Sequence, residues 1–160
     1  MAAALLSQFK HGSFHLPLNL FSWFAALLLL AAGAFAQEPA PRYLVEIELH
    51  TEAELLSALR RSEQLLDEGI LGVNSAHPVR FLLHGPEVRM LLLQNYARHK
   101  EVVDLAARLS AFGVVNIQVC ETWMGGQRIS KSELPPFIDT IPYAPAEERR
   151  LMREENYVYF

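Results

Sequence analysis

Cys120, the only cysteine in the sequence, is the side chain best suited to covalent chemistry. It follows an apolar, β-branched run, residues 114–119, which predicts a buried strand. Two glycines further on, Gly125 and Gly126, predict a loop in which the backbone can approach a ligand closely. Because ligands collect at the carboxyl ends of strands in open α/β sheets, we expect a partly exposed and reactive Cys120 at such an end.

The loop predicted after Cys120 contains the other candidate binding groups. Its backbone N–H groups would stabilise an anionic sulfur if the loop curls around the thiol. The candidate ligand-binding residues are Thr122, Trp123, Met124, Gly125 and Gly126. Two alternatives stay open: Cys120 is an inert buried cysteine, and Trp123 and Met124 pack in a subunit interface.

His84 is the candidate catalytic partner of Cys120. It ends a second apolar run, residues 79–83, and two neighbouring strands would bring both residues to the same crevice. There the imidazole could assist proton movement, or act as the base of a nucleophilic cysteine. Alternatively, His84 only hydrogen-bonds a loop carbonyl before Pro86. A cysteine hydrolase is the weaker hypothesis, because no asparagine or aspartate is evident as a third, orienting residue.

Several other functions are disfavoured by the sequence. No C-x-x-C motif is present and the histidines of the predicted domain are scattered, so we expect no metal site. Neither G-x-G-x-x-G nor a phosphate-binding G-K-[ST] motif accompanies the glycine pair, and we expect no cofactor. A formal net charge of −4 argues against a nucleic-acid partner, since phosphate contacts need clustered cations.

Residues 1–36 differ in composition from the rest of the chain. A sparse basic end, with Lys10, precedes an apolar run over residues 20–32, and an A-x-A sequence ends at Ala36. These features in this order predict a signal peptide that is cleaved after Ala36. The alternative is an uncleaved membrane anchor, for which the run is short compared with the ~20 residues of a bilayer span. We therefore expect an exported, periplasmic protein that touches a membrane only before cleavage.

The remainder predicts a short flexible lead-in, residues 37–42, and one domain, residues 43–160, in which strand-like and helix-like segments alternate. The predicted strands are residues 43–49, 79–83, 114–119, 137–141 and 157–160, and the predicted helices are residues 52–68, a segment opening at Pro86, residues 101–112 and a segment opening at Pro145. The alternation predicts βαβ units, a mainly parallel sheet and helices on both faces. The first strand alternates apolar and charged residues, which predicts a half-exposed strand at or near an edge.

The order of several short motifs resembles the DsrE/DsrF-like family of small sulfur-relay proteins. The matching segments are VRFLLHGP (79–86), LAARLSAFGV (105–114), IQVCETWM (117–124), LPP (134–136), IP (141–142) and RLMREENYVY (150–159). The resemblance implies a three-layer α/β/α sandwich with a five-stranded, mainly parallel sheet, usually assembled into oligomers such as trimers or hexamers. It also implies that Cys120 carries a persulfide and exchanges sulfur with a donor or acceptor protein.

The sequence therefore predicts an exported DsrE-like protein that binds or relays sulfane sulfur on Cys120, with a homo-oligomer as its assembly. Such a protein would be a sulfur carrier or transferase at most. The alternative is a non-catalytic module of the same fold, which binds a small ligand or serves oligomeric assembly. In that alternative Cys120 is simply a small apolar residue.

Overall fold

The computed structural model of the protein describes residues 41–45, 47 and 50–159. The predicted signal peptide, residues 1–36, lies outside these residues, and so does most of the predicted lead-in. Within the described part of the chain, no helix is long and apolar enough to cross a membrane.

Strands and helices alternate along the described chain. The strands are β1 (Arg42–Val45), β2 (Val79–Leu83), β3 (Val115–Cys120), β4 (Ile138–Ile141) and β5 (Tyr157–Tyr159). The α-helices are α1 (Glu52–Asp67), α2 (Lys100–Ala111), α3 (Glu121–Gln127) and α4 (Ala144–Glu154), and 3₁₀ helices cover Pro86–Leu91, Leu93–Asn95 and Lys131–Glu133. The segment that opens at Pro86 is thus a 3₁₀ helix rather than an α-helix. It ends at Leu91, because Leu92 is extended, with ψ of 139°.

The five strands form one sheet in the order β4-β3-β2-β1-β5, and every neighbouring pair is parallel. Helices cover both faces, so the predicted three-layer α/β/α fold with a five-stranded parallel sheet is confirmed. The register pairs Leu83 with Val119, which places the ends of β2 and β3 side by side. All carboxyl ends therefore meet at one edge of the sheet, where ligands bind in folds of this kind.

The two faces of the sheet pack in separate apolar layers. On one face, Phe81 and Leu83 pack in a layer with the leucines of α1 and α2. On the other face, Leu44 and Leu82 pack in a layer with Leu151 of α4. Because successive strand residues point to opposite faces, both layers bury side chains of the same strands. Each fully buried leucine contributes about 2 kcal/mol to folding.

The prediction of a half-exposed first strand is wrong for its described part. Leu44 and Val45 point to opposite faces, and both are buried. The reason is that helices cover both faces of the sheet. The predicted position near an edge is correct, because β1 lies between β2 and the edge strand β5. The helix after it begins as predicted, because the Thr51 hydroxyl accepts the N–H of Glu54 at 3.2 Å.

Candidate functional site

Cys120 is the last residue of β3, and α3 begins at the next residue. The prediction of a glycine-rich loop here is therefore wrong, since Gly125 and Gly126 lie within a short helix. Glycine costs about 1 kcal/mol in a helix, but burial of Met124 and partial burial of Trp123 hold this segment against the sheet. The helix then ends at Arg128, which takes the left-handed conformation with φ of 59°.

The thiol of Cys120 is buried, with 2% of the residue exposed, so the prediction of partial exposure is also wrong. The connection between β4 and α4 folds over the end of β3 and covers the sulfur. The N–H of Ala144 donates to Sγ at 3.5 Å, and the thiol lies 4.0 Å from the carbonyl oxygen of Pro142. The sulfur thus has one backbone donor in an otherwise apolar layer that includes Leu82.

Of the five predicted ligand-binding residues, only Trp123 packs against the apolar layer that holds Cys120. Thr122 donates both its N–H and its hydroxyl to the carbonyl oxygen of Pro142, at 3.3 and 2.8 Å. Met124 packs in the layer of α1 and α2 rather than beside Cys120. Gly125 and Gly126 are exposed, with no atom within 4 Å of the position that a Cβ would take. The N–H donor to the sulfur comes from α4 instead.

Helix α4, which covers Cys120, is tied to the sheet by charges. Glu147 lies 3.4 Å from the guanidinium of Arg80 on β2 and accepts from Arg150 at 2.7 Å. The hydrogen bond from Arg150 lowers the pKa of Glu147 below its usual 4.5, while partial burial opposes this and the charges of both arginines add to it. The Arg80–Glu147 pair therefore joins α4 to β2, whereas the Glu147–Arg150 pair lies within the helix.

His84 follows β2 directly and is exposed. Since Leu83 is the register partner of Val119, His84 stands next to Cys120 along the edge of the sheet. Within the described residues, however, no hydrogen bond joins the imidazole to the thiol. The partners of the sulfur there are the N–H of Ala144 and the carbonyl oxygen of Pro142. The predicted nucleophile–base pair is therefore not formed, although its two members end neighbouring strands.

Glu87 and His50 are site residues that sequence reasoning missed. The carboxylate of Glu87 is fully buried, and its Oε1 accepts the N–H groups of His84 and Gly85 at 3.0 and 2.9 Å. Its Oε2 lies 2.6 Å from Nδ1 of His50, which is in the left-handed region with φ of 51°. The imidazole rings of His50 and His84 are 5.9 Å apart at an angle of 71°. A carboxylate and two imidazoles thus meet at the carboxyl ends of β1 and β2.

Gly85 is required for this contact. A Cβ at this position would lie 2.3 Å from Nδ1 of His50 and 2.5 Å from Oε2 of Glu87. No real Cβ approaches other atoms so closely, so any other residue would separate the two side chains. The signal in the sequence was the run Gly85-Pro86-Glu87, in which the glutamate directly follows a turn, together with a histidine directly before the helix cap at Thr51.

A cavity of about 120 Å³ lies at the same edge, between the sheet and α4. It is lined by Leu44, Val45, Ile47, Leu82, His84, Glu148 and Tyr159. Two of these residues, Leu44 and Leu82, also belong to the apolar layer that holds Cys120. The hydroxyl of Tyr159 donates to the carboxylate of Glu148. The cavity therefore combines apolar side chains of β1 and β2 with the polar groups of His84, Glu148 and Tyr159.

In the part of the chain that the structure describes, no group of three or more histidine, cysteine, aspartate or glutamate side chains is arranged to hold a metal ion. No family model and no curated protein matches the sequence. The fold is similar to the solved structure of MTH1491, a protein of unknown function from Methanobacterium thermoautotrophicum. That likeness has a TM-score of 0.54 at 15% identity and covers 75% of this chain and 97% of the other. It bears on the α/β fold alone.

Proposed function

We propose that the protein is an exported, DsrE-like carrier of sulfane sulfur, with Cys120 as the carrying residue. The observation that carries the proposal is the position of this lone thiol at the end of an interior parallel strand, where Sγ accepts the N–H of Ala144 at 3.5 Å. An N–H donor stabilises an anionic sulfur more than a neutral one. A cavity of about 120 Å³ in the neighbouring part of the same layer would admit a small sulfur compound.

In the proposed reaction, the Cys120 thiolate attacks the outer sulfur of a persulfide or polysulfide donor. The donor S–S bond breaks, the donor leaves as a thiolate, and Cys120 becomes a persulfide. An acceptor thiolate then attacks the outer sulfur of that persulfide, and the Cys120 thiolate leaves. Both steps are thiol–disulfide exchanges, in which the sulfane sulfur moves without any net oxidant or reductant.

The burial of Cys120 sets a condition on this reaction, because only 2% of the residue is exposed. The segment from Pro142 to Ala144 must move away before a donor can reach the sulfur. Two hydrogen bonds from Thr122 to the carbonyl oxygen of Pro142 hold the first residue of this segment in place. Reaction of Cys120 with small reagents is therefore expected to be slow in the resting protein.

A second candidate function is a non-catalytic module that binds a small ligand or serves assembly. The same burial of Cys120 supports it, since a cysteine within an apolar layer can serve packing alone. In this case the ligand would occupy the cavity between the sheet and α4 without any bond to sulfur. Exposed apolar side chains on the edge strand, Val158 and Tyr159, support a homo-oligomer in either case.

The test is to incubate the purified protein with polysulfide, or with thiosulfate and a sulfurtransferase, and to measure its intact mass. The expected result is a gain of one sulfur atom that a reducing thiol removes. The control variant is Cys120→Ser, which should gain none. Absence of added sulfur on the wild type, or equal addition to Cys120→Ser, would overturn the carrier function and leave the binding module.

A further inference from the structure

The buried carboxylate of Glu87 does more than stabilise a turn. Removing a carboxylate from water costs several kcal/mol, which specific hydrogen bonds must offset. The bonds from the backbone of His84 and Gly85 engage Oε1 only. The second oxygen, Oε2, is directed at His50, a residue from a different connection of the fold. One half of this buried group therefore serves to orient an imidazole.

The contact with Glu87 engages one ring nitrogen of His50, and within the described residues the other nitrogen, Nε2, has no hydrogen-bond partner. When Oε2 of Glu87 accepts this hydrogen bond, Nδ1 of His50 is the donor, and Nε2 of the neutral ring keeps a free lone pair. Nδ1 and Cε1 face Gly85, while 29% of the side chain is exposed. A carboxylate that fixes the tautomer and orientation of an imidazole is the arrangement that makes histidine an effective base.

The position of His50 relates it to the cavity and to the thiol. Its ring stands edge-on to His84, with 5.9 Å between the centroids, and His84 lines the cavity. His84 in turn follows β2 at the level where Cys120 ends β3. The two imidazoles therefore follow β1 and β2, and the thiol ends β3, so that all three lie at the same edge of the sheet.

We propose that His50, oriented by Glu87, is the proton-accepting residue of this edge, and that its substrate is a small thiol that receives sulfur from Cys120. The inference rests on the proposed carrier function. Nε2 of His50 takes the proton of the thiol, and the resulting thiolate attacks the outer sulfur of the Cys120 persulfide. The S–S bond breaks, the Cys120 thiolate leaves, and the imidazolium of His50 releases its proton to water. Glu87 acts as a positioning residue, because it contacts His50 rather than the substrate.

The main experiment measures the rate of sulfur transfer from persulfidated protein to 2-mercaptoethanol in a single turnover, as a function of pH. His50→Asn is the first variant, since asparagine tolerates the left-handed conformation and keeps a donor toward Glu87 while it lacks the base. Glu87→Gln is the second, because the amide has the same shape but no longer fixes the tautomer. We expect both to slow transfer about 100-fold and to flatten its pH dependence.

A matched control comes from a second histidine–carboxylate pair in the same protein. Nδ1 of His99 lies 2.9 Å from Glu52. Neither residue lines the cavity between the sheet and α4, so His99→Asn should transfer sulfur at the wild-type rate. If the wild type carries sulfur and all three variants transfer it equally fast, the inference is overturned while the carrier function stands.

A second readout does not depend on sulfur. Diethyl pyrocarbonate acylates unprotonated imidazoles, and mass mapping gives a rate for each histidine. His50 should react faster than His99, and Glu87→Gln should slow His50 alone. If Cys120 takes up no sulfur, the carrier function fails, and this comparison decides whether His50 is an activated base. Equal rates for His50 in the wild type and in Glu87→Gln would overturn it.

Discussion

Two histidine–carboxylate pairs in this protein use the same atoms in opposite surroundings. In the first, His50 faces Glu87 across 2.6 Å, with 29% of the histidine side chain and 0% of the glutamate side chain exposed. In the second, His99 faces Glu52 across 2.9 Å, with 15% and 44% exposed. The first pair buries its carboxylate and presents its imidazole, whereas the second presents its carboxylate to water.

The difference teaches which pair can hold a fixed geometry. An exposed carboxylate exchanges its partner for water at little cost, so such pairs contribute about 0–1 kcal/mol. Glu87 has no access to water and accepts from the backbone of two residues as well as facing His50. Its position is therefore determined by three partners at once. The first pair can orient a reactive group, whereas the second only joins the start of α1 to the start of α2.

The largest expected effect tests this contrast in stability. Glu87→Ala leaves two backbone N–H groups and an imidazole without their acceptor, and we expect a loss of about 3–5 kcal/mol in the free energy of unfolding. Glu52→Ala should lose at most about 1 kcal/mol. Urea unfolding of both variants beside the wild type measures the difference. Similar losses for the two would mean that burial does not distinguish the pairs.

A smaller effect is expected from Gly85→Ala. The new Cβ would lie 2.3 Å from Nδ1 of His50, so the ring must move away from Glu87. Overpacking of this kind costs about 1–3 kcal/mol. The control is Gly125→Ala, an open position in α3 where alanine should stabilise by about 0.5–1 kcal/mol. Thermal unfolding of both variants gives the sign directly, and a stabilised Gly85→Ala would contradict the close contact.

The smallest effect concerns Glu147, whose side chain is 21% exposed and so lies between Glu87 and Glu52. The hydrogen bond from Arg150 holds its pKa below the usual 4.5 in the folded state. The resulting stabilisation is present above that usual value and is lost as the pH falls through the folded-state pKa. Glu147→Gln should therefore lose less stability than the wild type as the pH falls below 4.5. The difference in the free energy of unfolding should be less than about 1 kcal/mol. Urea unfolding from pH 7 to pH 3 measures this difference. If the variant and the wild type lose the same stability at acidic pH, this role of Glu147 is refuted.

Much of the fold could be predicted from the sequence, because local patterns determine its elements. The strand at Val79–Leu83 has the predicted bounds, and α1 differs from its prediction by one residue. The parallel sheet follows from the alternation of strands and helices. The helix at Glu121–Gln127 could not be predicted in this way, since its two glycines favour a loop locally. Packing of Met124 against distant residues decides its conformation.

The candidate site was less predictable, because its geometry depends on contacts between distant residues. The burial of Cys120 arises from Pro142 and Ala144, which reach it only because β4 lies next to β3. The contact between His50 and Glu87 joins two connections that follow neighbouring strands. Residue spacing reveals neither, whereas the placement of His84 and Cys120 at neighbouring strand ends follows from strand order alone.

The pairing of β5 with β1 has a consequence for how the cavity opens. Tyr159, one wall of the cavity, belongs to a three-residue edge strand that is held to β1 by three register pairs, at Arg42, Tyr43 and Leu44. Short edge strands separate at a lower free energy than the interior of a sheet. Detachment of β5 would remove this wall while β2 and β3 stay paired. Removal of this wall would thus need only the local separation of one short strand rather than unfolding of the whole domain.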